Sequence, residues 1–525
     1  MNRLAILATP EDVRPESPST GTTGLFTYLG DFIQAVCRHA TAIDAVHIFV
    51  PLRALDTAAR AVTALDPSGR SLAFSIEDLP HQLHVADYVA VHVPGGPRLG
   101  SVASVVHSAA SAPTPVVATQ HAISYPVMVD LMLNQLFGDT RTYDALICPS
   151  QASLKAHRAL LASLVDWVAK RHGVAASERH RWLQVRHGVD AEFWRPGDRV
   201  AARNALGLPQ DATLLLCPGR FSFVDKADLD PVLYVLTELP DHLHLVLAGD
   251  DRFNGSVLVR HLTELMGLGD RVHFLRSLPK ALLLLAYQAA DIALLPYDSI
   301  QESFGIALLE AMAVGLPCIV PDWDGLSEIV VNETTGFVID TELPRVPGLF
   351  DTLAELDEHH SAMHLRFSQC VAMHLGQALT RVRALLESET LRQRIGQAAR
   401  CAVCDYYAWS EVIHDYEKCW ANLKEEAGRA ANPGPFGPRL RPSTAFAEYA
   451  TRRITGKTVV VPTTRAKPDW RDLFNTYPGL SALLPVSAVS KIADGGRAEP
   501  QADDEWRAVA SAWLVKHGYA ELVQE

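Results

Sequence analysis

The sequence predicts an α/β protein of two doubly wound domains that face a cleft, followed by a small, mostly helical unit. Short apolar strands alternate with helical stretches up to Arg195, and the same alternation begins again after Pro196 and Gly197. A stretch rich in proline and glycine then separates the last part of the chain. The predicted units are an N-terminal domain at 1–197, a second domain with terminal helices at 198–428, a linker at 429–438 and an accessory unit at 439–525.

Each domain is predicted from strands that are short and rich in valine, isoleucine and leucine. In the first domain, a strand at 4–9 is followed by a glycine-containing loop at 21–24 and a helix. The other strands are predicted at 47–50, 88–93, 116–119 and 145–148, and in the second domain at 214–217, 243–248, 272–275, 292–295 and 318–320. A helical segment at 391–427 follows them. Because ligands of open α/β sheets bind beyond the carboxyl ends of the strands, we expect the site in the cleft.

Composition narrows the classes of partner. A net charge of −13 over 525 residues argues against a nucleic-acid partner, which would need a basic surface. No apolar run reaches the roughly 18 residues of a membrane-spanning helix, and the N-terminal apolar run is too short for a secretory signal. We therefore expect a cytoplasmic protein without a transmembrane segment.

One basic segment could contact an anionic membrane or an anionic acceptor, although a solvated helix face is favoured. It is the largely apolar stretch 160–168, flanked by Lys155, His157, Arg158, Lys170, Arg171 and His172. The eight cysteines are scattered and are predicted to be free thiols. Cys401 and Cys404 form a lone C-x-x-C pair without further ligands, so no zinc or redox site is expected there.

The segment 302–336 has the most informative pattern. Glu302 precedes a predicted helix that starts at Gly305 and Ile306, and Glu310 lies two turns further along. Free backbone amides at the helix start would face an anion, and the two carboxylates can bind hydroxyl groups at both ends of the same ligand. This pattern describes a nucleotide sugar, and it is also compatible with an amphipathic helix followed by a core strand.

Two cations are predicted to face the same cleft. Arg220 follows a buried strand, and Lys226 lies six residues later in a loop. The pair suits a diphosphate, because arginine can bind two oxygens at once and lysine adds a point charge. Alone, it would also fit a solvated loop.

Taken in order, the motifs of the second domain resemble the retaining nucleotide-sugar glycosyltransferases of family 4 (glycosyl transferases group 1). The motifs are G-R-x5-K at Arg220 and Lys226, then V-L-A-G, V-H-F-L, A-A-D-I-A-L-L-P, E-S-F-G-I-A-L-L-E-A-M-A-V-G-L-P and G-L-S-E-I-V. The resemblance covers about 1–425 and is strongest over 214–340. It implies the GT-B fold, in which two Rossmann-like domains face a cleft, and transfer of a hexose from a UDP- or GDP-sugar to an acceptor hydroxyl.

The resemblance also implies roles for individual residues. The position matching Glu302 contacts the donor sugar, the one matching Glu310 holds the ribose, and Arg220 and Lys226 match the residues that bind the diphosphate. The catalytic residues are then Arg220, Lys226, Glu302 and His121, and the donor-binding residues are Gly24, Phe304, Gly305, Ile306, Glu310 and Leu278.

Some of these residues have simpler interpretations. His121 matches a histidine near the reacting carbon, but it could equally be a structural histidine. Gly24 lies in a loop that resembles the family's glycine loop, or simply begins a helix. Gly325 and Glu328 match a further family signature, which a tight turn and a helix cap would also explain.

The sequence departs from the family pattern at two positions. Ala227 and Arg276 stand where the family usually has glycine. Arg276 could clash with the donor base or form a new contact with it, so the choice among UDP, GDP and ADP donors stays open.

The resemblance implies front-face attack with retention, in which the leaving phosphate oxygen helps to remove the proton of the acceptor. No metal and no cofactor are then required. Two aspartate pairs fit the metal sites of other sugar transferases only superficially, because the surrounding sheet pattern differs; they are Asp228 with Asp230 and Asp322 with Asp324.

Three alternatives remain on the same fold: a nucleotide-sugar epimerase, a sugar phosphorylase and a non-catalytic protein that binds sugar nucleotides. The intact set of Arg220, Lys226, Glu302 and Glu310 favours the transferase over a non-catalytic protein. We expect a soluble acceptor, such as a metabolite, a peptide or a glycan. The accessory unit could recruit this acceptor or mediate self-association into a homo-oligomer.

Overall fold

The computed structural model describes residues 1–9, 12–13, 24–345, 361–430, 454, 459–463, 469–476, 484, 486–493 and 504–523. Residues 21–23 of the predicted glycine loop and residues 431–438 of the predicted linker lie outside these ranges. Within the described ranges, no helix combines the length and the apolar character that crossing a membrane requires.

The N-terminal domain is built on a seven-stranded parallel sheet. Its strands are β1 (Arg3–Leu7), β2 (Ala45–Val50), β3 (Ser71–Ser75), β4 (Ala90–Val93), β5 (Val116–Thr119), β6 (Ala145–Cys148) and β7 (Arg181–Gln184). They lie in the order β3-β2-β1-β4-β5-β6-β7, and every neighbouring pair is parallel. Strands β4, β5 and β6 are buried along their whole length, because helices cover both faces of the sheet.

The second domain repeats this architecture with six parallel strands. They are β8 (Thr213–Pro218), β9 (Leu243–Gly249), β10 (Val272–Arg276), β11 (Ile292–Leu294), β12 (Cys318–Pro321) and β13 (Gly336–Ile339). Their order is β10-β9-β8-β11-β12-β13, again with parallel pairs throughout. The predicted fold class, with two doubly wound domains facing each other, is confirmed.

Three strands of the two parallel sheets were not predicted from the sequence: β3, β7 and β13. Each is an outer strand of its sheet. An outer strand has one neighbour and is partly solvated, so it tolerates polar residues and lacks the apolar run of a central strand. The serine-flanked β3 and the half-exposed β7 illustrate this.

Helices connect the strands. Those of the N-terminal domain are α1 (Gly24–His39), α2 (Leu55–Leu65), α3 (Leu79–Val85), α4 (Leu99–Ala109), α5 (Val127–Phe137) and α6 (Gln151–His172). Those that follow are α7 (Arg199–Leu206), α8 (Asp230–Thr237), α9 (Gly255–Leu265), α10 (Lys280–Ala289), α11 (Ile306–Val314), α12 (Leu326–Ile329), α13 (Ser361–Ser368), α14 (Leu375–Glu387), α15 (Glu389–Ala402) and α16 (Trp409–Arg429). Two short strands that follow β13 in the chain, β14 (Thr341–Glu342) and β15 (Ala372–Met373), pair with each other in antiparallel orientation.

Helix α16 packs on the N-terminal domain, although it follows the second domain in sequence. Trp409 and Trp420 share a hydrophobic core with Phe32 of α1. The hydroxyl groups of Tyr28 and Tyr416 lie 3.1 Å apart. A π-helical turn at Val403–Tyr407 interrupts the predicted helical segment between α15 and α16. The chain therefore returns from the second domain to the first.

The predicted basic segment lies on α6. The side chain of His157 is buried, and burial lowers its pKa to about 3, so this residue is a neutral core histidine. Leu161 and Val168 are also buried, whereas Leu160 and Trp167 are exposed. The segment 160–168 is thus an ordinary helix with one face in the core.

The described part of the accessory unit has a core of its own. Three helices, α17 (Trp470–Thr476), α18 (Val486–Ala493) and α19 (Asp504–Lys516), accompany an antiparallel pair, β16 (Val460–Pro462) and β17 (Ala520–Leu522). Aromatic side chains dominate the core, including Trp470, Phe474 and Trp513. Its predicted role in acceptor recruitment or self-association stays a prediction.

Candidate active site

A cavity of about 670 Å³ lies between the two domains. Most of the predicted site residues line it: His121, Arg220, Lys226, Leu278, Glu302, Phe304, Gly305, Ile306 and Glu310. Gly24 is the first residue of α1, and the next turn of the same helix lines the cavity with Thr27 and Tyr28. The fold thus gathers residues from both domains into one cleft.

The carboxyl ends of the strands explain this gathering. Arg220 follows β8, and Leu278 follows β10. From the opposite sheet, His121 follows β5. Since all strands of a parallel sheet end on the same edge, side chains that are distant in sequence meet there.

Lys226 provides a positive charge on the second domain's side of the cleft, and its neighbours hold it in place. Its ammonium group forms an ion pair with Glu302, and it lies 3.6 Å from the centroid of the Tyr297 ring. Gly219 allows this close packing: it has φ +133°, and a Cβ atom there would lie 3.1 Å from Lys226 Cε. Lys226 and Glu302 are only 14% and 17% exposed, so their mutual attraction is partly shielded from water.

Arg220 lies on the same wall and is also held by a carboxylate. Its Nη1 atom donates to Asp225 Oδ2 at 3.0 Å, and its Nη2 atom lies 3.4 Å from Gln301 Oε1. The amide of Gln301 in turn donates to the hydroxyl of Tyr125 in the N-terminal domain. Arg220 is therefore oriented from both sides of the cleft.

The N-terminus of α11 borders the cavity beside these cations. Gly305 precedes the helix with φ +115° and provides no side-chain cap. The first backbone N–H groups of a helix have no partner within it, and they carry the positive end of the helix dipole. Gly305, Ile306 and Ala307 line the cavity, so this helix end can bind an anion there.

Glu310 is the buried carboxyl group of the site. It is 8% exposed, and Tyr287 donates a hydrogen bond of 2.8 Å to its Oε2 atom. Burial raises the pKa of Glu310 to about 7. Nearby, Lys280 forms a 3.1 Å ion pair with Asp31 of the N-terminal domain. Glu310 can therefore exchange hydrogen bonds with ligand hydroxyl groups in either protonation state.

His121 is a neutral histidine of the opposite wall. Its Nε2 atom donates to the carbonyl oxygen of Pro94 at 2.7 Å, which leaves the lone pair on Nδ1. The ring contacts Tyr28 edge to face and stacks against His187, with centroids 4.9 and 5.3 Å away. Burial lowers the pKa of His121 to about 4, so the side chain offers a lone pair and no charge.

The two departures from the family pattern fall in different places. Ala227 is buried in the core of the second domain. Arg276 is exposed at the end of β10, and its guanidinium lies 3.8 Å from Asp251. Leu278 lines the cavity close to this loop, so the side chain that faces a ligand there is apolar.

Among the described residues, no group of three or more histidine, cysteine, aspartate or glutamate side chains is placed to hold a metal ion. The cysteines within the described ranges are free thiols, and Cys401 and Cys404 are exposed.

Sequence reasoning missed several residues that complete the site. Tyr297 and Gln301 follow β11, so their position after a predicted strand was an available signal. Tyr287 and Tyr125 were harder to find, because their contacts with Glu310 and Gln301 join distant parts of the chain. The remaining cavity-lining residues that the sequence did not single out include Gly95, Gly96, Arg98, His187 and Asp250.

Residues 198–347 match the family model described as glycosyl transferases group 1. The chain therefore contains a group 1 glycosyltransferase domain. This domain comprises β8 to β13 and includes every predicted site residue of the second wall.

Curated relatives named as glycosyltransferases match part of this chain. The D-inositol 3-phosphate glycosyltransferase of Geodermatophilus obscurus is 33% identical over 193 residues, which are 35% of this chain and 42% of that protein. The protein of the same name from Mycolicibacterium smegmatis is 32% identical over 216 residues, 40% of this chain and 48% of its own. The chain thus spans less than half the length of these relatives.

Two solved structures share the two-domain fold. Sucrose-phosphate synthase from Thermosynechococcus elongatus superposes with a TM-score of 0.54 at 17% identity, covering 81% of this chain and 100% of that one. HepE of Anabaena in complex with UDP has a TM-score of 0.54 at 14% identity, covering 80% and 100%. The fold class is therefore GT-B.

Proposed function

We propose that this protein transfers a hexose from a nucleoside-diphosphate sugar to an acceptor hydroxyl group, with retention of configuration and without a metal ion. The observation that carries the proposal is the convergence of Arg220, Lys226 and the N-terminus of α11 on one wall of the cleft. The group 1 glycosyltransferase domain supports it, as do the complexes of HepE with UDP and with UDP-glucose. A cytoplasmic location remains part of the proposal.

The positive charge on the second domain's side of the cleft suits the negatively charged leaving group of such a reaction. Cleavage of the bond between sugar and diphosphate builds negative charge on the departing oxygen. Arg220, Lys226 and the amides of α11 would stabilise that charge, and one preorganised donor of this kind is worth about 3 kcal/mol of barrier. Without a donor substrate, Asp225 and Glu302 hold the two cations in place, and the diphosphate would compete for them.

The rest of the second domain's wall fits the sugar and the nucleoside. Glu302 would bind hydroxyl groups of the donor sugar, since its carboxylate lies beside the diphosphate site. Glu310, oriented by Tyr287, would bind the ribose hydroxyl groups. Leu278 offers an apolar contact for the base.

In the proposed front-face reaction, the acceptor hydroxyl attacks on the side from which the diphosphate leaves. The carbon–oxygen bond to the diphosphate breaks, the bond to the acceptor oxygen forms, and the leaving phosphate oxygen takes the acceptor proton. His121 would orient the reacting sugar through a neutral ring nitrogen. Its low pKa suits this role better than that of a general base near neutral pH.

The acceptor would bind against the N-terminal wall, where Arg98 provides a cation. Its side chain is exposed at the cavity and forms no ion pair within the described ranges. An anionic acceptor would satisfy this charge, and the curated relatives are named for an acceptor that carries a phosphate. We infer that the acceptor is a small soluble metabolite with an anionic group, rather than a peptide or a neutral glycan.

D-inositol 3-phosphate and unphosphorylated inositol serve as trial acceptors for this inference. We expect the phosphorylated form to react better, and Arg98→Gln to raise its KM about tenfold, the usual scale for a lost charge-assisted contact. The variant should leave the low rate with inositol unchanged. Equal use of the two acceptors by the unaltered protein would exclude an anion-specific wall.

The donor is tested by screening UDP, GDP and ADP for thermal stabilisation of the protein, followed by calorimetry. A ligand that binds only the folded state raises its unfolding temperature with concentration. Lys226→Ala should abolish this shift and lower turnover about 100-fold, whereas Lys170→Ala, in an exposed ion pair, should change neither. If none of the three nucleotides binds, the proposal is wrong.

Product analysis separates the alternative activities. Formation of an epimer from the donor alone would identify an epimerase, and dependence of the reaction on phosphate would identify a phosphorylase.

A further inference from the structure

Glu328 of the second domain contacts the N-terminus of α6 in the N-terminal domain. Its Oε2 atom accepts a hydrogen bond from the backbone N–H of Gln151 at 2.7 Å, and its Oε1 atom accepts one from Ala152 at 2.7 Å. These amides belong to the first turn of a 22-residue helix and have no acceptor within it. A carboxylate at this position also faces the positive end of the helix dipole.

A third hydrogen bond between the domains lies next to these two. Ser150 precedes α6, and its hydroxyl oxygen accepts from the backbone N–H of Ser153 at 3.0 Å. The same hydroxyl donates to the carbonyl oxygen of Ser303 at 2.9 Å. Ser303 lies between Glu302 and Phe304, so this contact acts directly on the backbone of the proposed sugar site.

The loop that carries Glu328 is closely packed at the same place. A Cβ atom on Gly325 would lie 2.9 Å from Phe304 Cα and 3.0 Å from Ser150 Cβ. A glycine is therefore needed for the loop to approach both the sugar site and the opposite domain. Glu328 itself does not line the cavity between the domains.

We propose that Glu328 is a positioning residue, which holds the two domains together at α6 and thereby sets the position of Glu302 and Phe304 relative to the acceptor wall. This inference rests on the proposed transfer reaction for its effect on turnover, but not for its effect on the contact between domains. The hydrogen bonds from two amides to one carboxylate are charge-assisted, and they form only when the second domain approaches α6. The family signature that contains Gly325 and Glu328 would then act across the cleft.

The test compares Glu328→Gln and Glu328→Ala with a matched control, Asp198→Asn. Asp198 also caps a helix, because its carboxylate accepts from Ala201 at 3.1 Å, but both residues belong to the second domain. In the free protein, hydrogen exchange at Gln151 and Ala152 should become faster in both Glu328 variants and stay unchanged in the control. This readout requires no substrate and no assumption about the reaction.

Turnover and nucleotide binding provide the second readout. We expect the Glu328 variants to lower kcat about 10- to 100-fold, as misplacement of a reacting group by about an ångström does. UDP binding, measured by calorimetry, should change less than about twofold, because the diphosphate wall belongs to one domain. Glu328→Gln, which keeps one acceptor oxygen, should retain more activity than Glu328→Ala.

Two results would overturn the inference: unchanged exchange at the start of α6, or a loss of UDP affinity as large as the loss of kcat. If the unaltered protein transfers no sugar, the proposed function fails, and the exchange experiment still decides whether Glu328 joins the domains.

Discussion

At the scale of single residues, the site combines strong charges with unusual protonation states. The two cations are paired with carboxylates before any substrate arrives. Glu310 is buried and His121 is partly buried, and removal from water shifts the pKa values of both towards the neutral form of each group. The ion-paired charges of the site therefore lie on the second domain's wall, whereas burial favours the uncharged forms of Glu310 and His121.

Glu310 makes stability depend on pH. Its pKa is raised from 4.5 to about 7 in the folded protein, so between these values the folded state binds a proton that the unfolded state has lost. The contribution of Glu310 to stability is therefore fully present below about pH 4.5 and is lost as the pH rises through 7. Relative to Glu310→Gln, the unaltered protein should lose about 2 to 3 kcal/mol between about pH 5 and about pH 8.

Chemical unfolding of the two proteins at several pH values measures this difference. Glu264→Gln, at an exposed position on α9, is the control and should show no such trend. A constant difference between the unaltered protein and Glu310→Gln would mean that Glu310 ionises normally in the fold.

At the scale of elements, helix ends determine the site more than helix interiors do. Helix α11 is bounded by two glycines with positive φ, Gly305 at its start and Gly315 at its end. The start borders the cavity, whereas the end packs near Gly396 and Pro196. Equivalent strain at the two ends should therefore have different functional effects.

We expect Gly305→Ala and Gly315→Ala each to lower the free energy of unfolding by about 1 to 3 kcal/mol, because both positions have positive φ. Only Gly305→Ala should weaken nucleotide binding, by about tenfold, since a Cβ atom there would lie 2.5 Å from Leu326 Cδ2 and displace the helix start. Urea unfolding and calorimetry with UDP separate the two effects. Equal nucleotide affinity in the two variants would show that the amides of α11 do not bind the phosphates.

At the scale of the whole molecule, the described part of the chain crosses between the two sheet domains twice. It enters the second domain after β7 and returns to the first with α16. In that helix, Trp420 is completely buried, and its Nε1 atom donates to His92 Nδ1 at 3.1 Å. Burial lowers the pKa of His92 to about 3, so the histidine is a neutral acceptor. The N-terminal core is therefore incomplete without residues that lie more than 300 positions away.

Trp420→Ala should destabilise the N-terminal domain by about 3 to 5 kcal/mol, the usual cost of removing a large buried aromatic side chain. Hydrogen exchange should become faster in β1 and β4, which contribute to the same core as α16, and not in β8 and β9. Trp167→Ala, at a position that is 52% exposed, is the control. Faster exchange in the second sheet alone would mean that α16 stabilises its own domain instead.

Local patterns were sufficient for the two doubly wound sheets, the central strands and the helix after Glu302, because hydrophobic periodicity and glycine positions act over a few residues. The motif order also identified most of the residues that line the cleft, such as Arg220 and Glu310. Outer strands such as β3 were not predicted, since a strand with one neighbour needs no apolar run.

Contacts between distant segments could not be read in this way. The pairing of Lys226 with Glu302, the hydrogen bond from Tyr287 to Glu310 and the return of α16 to the first domain all join parts of the chain through folding. Glu328 shows the difference most clearly: its motif predicted a helix cap, but the helix that it caps belongs to the opposite domain. Local sequence determines which side chains stand at the end of each strand. Which of those side chains contact one another depends on how the two sheets face each other, and only the tertiary structure decides that.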